Sequence, residues 1–244
     1  MPSFSTLRSK GNEAAAGATC PARPTCRTLR PLPGIDIGQL FIVIFVLLLS
    51  LTIHEMAHAW TADRLGDPTA RLLGRVSINP LVHIDPIGTV VFPLLAYISG
   101  LPLIGWAKPV PVRVANLRHH RRDYVLVAAA GPASNLVLAT IASMALRTMA
   151  TSPSTIGGLD RPGPLASLAM LMIEINLLLA IFNMIPIPPL DGGNVLAGLL
   201  PGRLAAAFDA LRPYGFLLLY ALMFTGVLRM FVAPPYSLLL SWLS

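Results

Sequence analysis

From Leu40 to Ala59 the chain reads LFIVIFVLLLSLTIHEMAHA, and no other stretch limits the possible fold as strongly. Up to Ile53 it is apolar apart from Ser50 and Thr52. Backbone inside hydrocarbon has no water to bond with, so such a run must be helical. A helix from Ile37 to His58 covers roughly 30 Å at 1.5 Å per residue, enough to cross a bilayer core. The run closes in His54-Glu55-Met56-Ala57-His58. Positions i and i+4 share a helix face, so both histidines can reach one zinc ion, and Glu55 beside them can take a proton from a metal-activated water. Imidazoles and a carboxylate are costly at membrane depth, so their presence there reads as function.

Composition agrees with a membrane protein. Of the 244 residues, 55% are hydrophobic and 12% charged, against about 25% charged in an ordinary soluble domain. The net charge of +7 lies in loops and in the N-terminal tail, where basic residues act as topology signals, so nucleic-acid binding is not implied. Residues 1–34 are rich in Pro, Ala, Arg, Ser and Thr without apolar periodicity, which predicts a disordered basic tail. Cys20 and Cys26 sit in that tail; they have the wrong spacing for C-x-x-C and cannot complete a four-cysteine zinc site.

The remaining chain predicts an all-α polytopic membrane protein of about four transmembrane helices. The first helix should stop at Gly66, before Asp67-Pro68. Residues 69–78, with Gly74 near the middle, predict a short membrane-associated β-hairpin. An apolar stretch from Ile87 to Trp106 follows, interrupted by Pro93, Gly100, Pro102 and Gly105. Further spans are predicted over Tyr124–Met149, Leu165–Ile187 and Tyr214–Val232, with a short amphipathic helix over 194–212. This divides the chain into the tail 1–34, a membrane domain 35–232 and an interfacial C-terminal segment 233–244.

Asp191 is the best third metal ligand. Pro186, Pro188 and Pro189 end the helix before it, and Gly192-Gly193 lets the backbone turn closely, so its carboxylate can point back into the bundle. An alternative reading makes Asp191 a helix cap in a loop. If it joins His54 and His58, three span ends share one side, and Ile87–Trp106 must enter and leave there as a re-entrant hairpin. That side carries ten of the 18 Lys and Arg, the opposite side three (Arg147, Arg161, Arg229), and the tail five. Positive-inside reasoning then places the metal site toward the cytoplasm, although the tail's charges oppose it.

HEMAH in an apolar helix, GPASN in a later span and NMIPIPPLDGG after a third together resemble the site-2 protease family of intramembrane zinc metalloproteases. NPLVHIDPIG and the apolar stretch after it resemble the compact prokaryotic members. The resemblance runs from Ile37 to Gly193, with similar character to Val232. It implies one zinc ion held by His54, His58 and Asp191, with Glu55 as catalytic carboxylate. It further implies that Asn183 and Asn135 handle substrate backbone or the developing oxyanion. Substrates would be transmembrane segments of membrane proteins, cut in regulated intramembrane proteolysis in a prokaryotic cell membrane. An unwound substrate segment could add as a strand to the 69–78 hairpin. No PDZ-like or CBS-like domain, which some members carry, is visible in the sequence.

Other polar residues have plainer readings. His83 is expected to bond within its loop, His119 and His120 to be solvated, and Glu174 to pack in a protonated or hydrogen-bonded form. Two rival functions remain: a membrane scaffold or transport protein that kept the fold without catalysis, and a zinc hydrolase acting on something other than protein helices.

Overall fold

A computed structural model describes residues 37–91, 95, 108–150 and 163–243. The tail 1–34 lies outside the described residues, as does the expected re-entrant hairpin from residue 92 onward apart from Leu95. Four described stretches are long and apolar enough to cross a membrane: Phe41–Arg64, His120–Met149, Pro164–Asn183 and Gly202–Phe224. The chain is a multi-pass membrane protein.

Helix α1 is Ile37–Arg64, and its last turn feeds Gly66, whose φ of 113° suits only glycine among common residues. Asp67 follows and is fully buried. Its carboxylate accepts from Thr69 N (3.2 Å), Thr69 Oγ1 (2.5 Å), Arg113 N (2.6 Å) and Asn116 Nδ2 (2.9 Å). Burial alone would raise its pKa; the bonds from Thr69, Asn116 and the Arg113 backbone outweigh that and hold it below the ordinary carboxylate range. One side chain thus fastens the end of α1 to the loop that precedes the next long helix.

The β-hairpin expected over 69–78 does not form. Thr69–Leu72 is a single helical turn (α2), started by the Asp67 bonds to Thr69, and Arg75 N closes it on Ala70 O at 2.9 Å. Gly74 takes a φ of 71°, which curls the chain instead of extending it. Arg75 then bonds Val82 O, and Asn79 caps a 3-10 turn at Pro80–Val82. No strand edge is present among the described residues, so strand addition has nothing here to extend. His83 behaves as expected: it is buried, with its Nε2 2.9 Å from Ser77 O. His119 and His120 are exposed, near Asp123 and Val114 O respectively.

Helix α3, His120–Ala150, begins four residues before the expected Tyr124, because Asp123 accepts from His119 N (2.7 Å) and so caps its first turn. It packs against α1, α4 (Pro164–Asn183) and later helices. The contacts are made by small residues, among them Ala59, Ala62, Ala128, Ala139, Ala142 and Ala180, all buried. Such residues let helices approach where lipid gives no hydrophobic drive between them. Between α1 and α4 the buried Asn176 donates to Ser50 Oγ at 2.9 Å. Phe41, Phe45, Val137, Ile141 and Leu178 stay exposed on the rim, as a lipid-facing surface requires.

Helix α4 stops at Asn183, short of the expected Ile187, since Pro186, Pro188 and Pro189 lack the N–H groups to continue it. The amphipathic segment expected over 194–212 is two helices, α5 (Asp191–Leu199) and α6 (Gly202–Asp209), parted at Pro201. The last expected span is also divided. α7 (Gly215–Phe224) ends before Gly226, whose φ is 75°, and α8 (Val227–Leu243) runs past Val232 despite Pro234 and Pro235. Tyr236, Leu239, Leu240 and Leu243 of α8 pack on a core of Ala139, Ala142, Ile173 and Leu177 from α3 and α4.

Candidate metal centre

Three helices bring the site together. His54 and His58 are one turn apart on the face of α1 that meets α3, and both are buried. Their rings stand edge to face at 84°, with centroids 4.7 Å apart. Asp191 is the first residue of α5, delivered by the proline loop. Its Oδ2 lies 3.0 Å from His54 Nε2 and 3.2 Å from His58 Nε2, and the two nitrogens are 3.1 Å apart. Zinc holds imidazole nitrogen and carboxylate oxygen at about 2.0–2.2 Å, so two ligands of one tetrahedral ion stand roughly 3.3 Å from each other. The observed triangle is close to one face of that tetrahedron, and the two-His, one-carboxylate donor set is one that catalytic zinc accepts. Among the described residues, no other group of His, Cys, Asp and Glu converges in a way that could hold a metal.

The glycines explain how the parts come so close. A Cβ on Gly131 would sit 2.3 Å from His58 Nε2 and 2.6 Å from His54 Nε2, so α3 meets the imidazoles with bare backbone. A Cβ on Gly192 would sit 2.2 Å from Met184 O, which is why the turn leading into Asp191 requires glycine there. α5 is held to α3 by Tyr124 Oη, which donates to Asn194 Oδ1 at 2.9 Å; Arg212 Nη1 donates to the same oxygen at 2.9 Å.

The structure separates the remaining candidates. Glu55 is half-buried on α1 and makes no hydrogen bond or ion pair among the described residues. Asn135 is completely buried on α3, with Nδ2 3.2 Å from His54 Nδ1. Asn183, at the end of α4, donates to Leu179 O at 2.9 Å and makes no hydrogen bond to the triad among the described residues. Glu174 is exposed on the flank of α4. Sequence reasoning did not find the roles of Gly131, Val127 or the Tyr124–Asn194 pair. Gly131 stood within the quoted GPASN motif, but a glycine gives no sign of which neighbour needs the space. Val127 acts through its carbonyl, which accepts at 2.7 Å from His58 Nδ1 and leaves no trace in residue type.

The fold and site therefore define a polytopic membrane protein whose first long helix carries an HExxH pair completed by an aspartate from a later helix. The sequence profile of peptidase family M50 matches residues 160–222, the part that supplies Asp191. "Putative zinc metalloprotease YwhC" of Bacillus subtilis is 37% identical over 183 residues, 75% of this chain and 80% of that protein. "Putative zinc metalloprotease Rip2" of Mycolicibacterium smegmatis is 32% identical over 205 residues, 83% of this chain and 73% of that protein. "Putative zinc metalloprotease Rip3" of Mycobacterium tuberculosis is 30% identical over 156 residues, 64% of this chain and 30% of that protein. The chain belongs to peptidase family M50. No solved structure matches it.

Proposed function

We propose that this chain is a zinc endopeptidase that cuts transmembrane segments of membrane proteins inside the bilayer, with its site toward the cytoplasm. The observation that carries the reading is the triangle of His54 Nε2, His58 Nε2 and Asp191 Oδ2, set within a bundle of apolar helices and beside Glu55. Those three side chains would hold the zinc. Bound there, zinc supplies a Lewis acid for the scissile carbonyl and makes water nucleophilic at neutral pH.

The chain's own residues do the rest. Among the described residues Glu55 makes no hydrogen bond or ion pair, which suits a carboxylate that must take a proton from the attacking water and return it to the leaving amine. Asn183, at the mouth of the proline loop, is the side chain available to meet substrate backbone or the oxyanion. The substrate is a helix whose peptide groups are bonded to each other, so it must unwind locally before it is cut. Basic residues in the loop before α3 and in its first turn, including Lys108, Arg118, Arg121 and Arg122, support the cytoplasmic orientation.

The test compares membrane proteins of cells carrying the natural chain with those of cells carrying Glu55→Gln. The variant is expected to keep zinc and to lose about 10²–10⁴-fold in cleavage, so single-pass proteins or their shortened remnants accumulate in it. Equal membrane protein profiles under several stress conditions would refute the protease reading in favour of a scaffold or transport role.

A further inference from the structure

We propose that Asn135 positions His54: its side-chain oxygen holds the His54 tautomer that leaves Nε2 free to bind metal. This rests on the reading of His54 as a ligand and assigns Asn135 a different task from handling substrate.

The two histidines are held from behind in different ways. His58 Nδ1 is 2.7 Å from Val127 O, a carbonyl that can only accept. Its Nδ1 therefore carries a ring proton, and Nε2 is the nitrogen left for a metal. His54 needs the same arrangement, and the group at its Nδ1 is the Asn135 amide at 3.2 Å. The other amide atom, Asn135 Oδ1, is buried and has no hydrogen-bond partner among the described residues. A half-turn about the bond that carries the amide exchanges its two ends without changing its shape. Oδ1 then accepts from Nδ1–H, and His54 matches His58. The site thus has one outer partner from the backbone and one from a side chain, and the side-chain partner is open to substitution.

The location speaks against the substrate role. Asn135 has no exposed surface, and it meets the Nδ1 edge of a ring whose Nε2 edge faces Asp191. The His54 imidazole stands between Asn135 and Asp191. Pro132, three residues earlier on α3, also limits how far this segment can adjust, since it fixes its own φ.

The experiment measures zinc affinity of the full chain in detergent, by competition with a chromogenic chelator, for the natural protein and for Asn135→Asp, Asn135→Leu and His54→Ala. Aspartate keeps an acceptor at Nδ1 and should bind zinc at least as well as the natural protein. Leucine fills similar space without an acceptor, and loss of such an outer partner weakens metal binding by about 10–100-fold. Thermal unfolding of each variant in excess chelator separates a loss of fold from a loss of zinc; if leucine does not fold, Asn135→Ala takes its place. Zinc binding unchanged in the leucine or alanine variant overturns the proposal. So does an aspartate variant as weak as leucine, because the amide N–H would then be the working end. Unchanged zinc binding in His54→Ala is a separate result: it removes the ligand reading beneath the proposal.

Discussion

Gly131→Ala is the most discriminating single change at the metal centre, because two physical effects oppose each other. In a helix interior alanine is favoured over glycine by about 1 kcal/mol, so propensity alone predicts a more stable α3. Geometry predicts the reverse at the site. The new Cβ would stand 2.3 Å from His58 Nε2 and 2.6 Å from both His58 Cε1 and His54 Nε2. Ordinary contact needs roughly 3.5 Å, so the rings or the helices must part by about 1 Å. A metal site tolerates about 0.2 Å in its ligand distances. The atoms that must move are the nitrogens proposed to hold zinc, backed by Val127 O and Asn135, so they have nowhere to go without losing those bonds. Overpacking of this kind costs about 1–3 kcal/mol, which corresponds to roughly a 5–150-fold loss of zinc affinity. The assay is chelator competition on purified protein, with thermal unfolding in excess chelator as the measure of fold. Gly163→Ala is the control, since a Cβ there meets nothing within 4 Å. Zinc affinity in Gly131→Ala equal to that of the control would refute the close approach of α3 to the histidines.

Other outcomes follow from the supports around the site. Asp67→Ala removes a buried carboxylate that accepts from Thr69, the Arg113 N–H and the Asn116 amide, and should cost about 2 kcal/mol, read by thermal unfolding in detergent. The sign of the acid dependence also follows. Asp67 titrates below its unfolded value, so its contribution is complete above pH ~4–5 and is lost as pH falls toward the lowered value. Asp67→Asn should therefore flatten the acid limb of the stability profile; an unchanged limb would show that Asp67 does not set it. Tyr124→Phe removes one of two donors to Asn194 Oδ1, so α5 loosens by about 1 kcal/mol and zinc weakens roughly fivefold at most; a hundredfold loss would mean that Tyr124 acts on the site directly.

Sequence and structure agree where chemistry is local. The HExxH spacing fixes the relation of His54 and His58 because a helix in hydrocarbon has no alternative backbone, and that pairing is found. Asp191 was identifiable because prolines and glycines around it dictate a turn. The misreading over 69–78 came from Gly74 near its middle, since a glycine there serves a hairpin turn and the end of a helical turn equally well. The decision there fell to Asp67, whose bonds to Thr69 begin a helical turn and whose partners Arg113 and Asn116 are more than forty residues further on. The division of the last span at Gly226 is of the same kind. A single glycine in an apolar run is compatible with continuous helix, and only the packing of α8 on α3 and α4 fixes the break.

The arrangement of the three proposed ligands also constrains how the site is assembled. His54 and His58 are set by α1 alone, so two corners of the proposed metal face exist once that helix forms. The third proposed ligand, Asp191, comes from outside the long helices, on α5, whose position depends on Asn194 and on glycines that admit no side chain. α3 lies between these two sources and touches both: Gly131, Val127 and Asn135 meet the histidines, while Tyr124 and Val125 meet α5. Displacing α3 therefore changes the distance from Asp191 to the histidines as well as the direction in which the rings face. It follows that substitutions on the buried face of α3 near these residues should weaken zinc more than comparable ones on α4, which adjoins α1 at Ser50 and Asn176 but gives the triad no side chain.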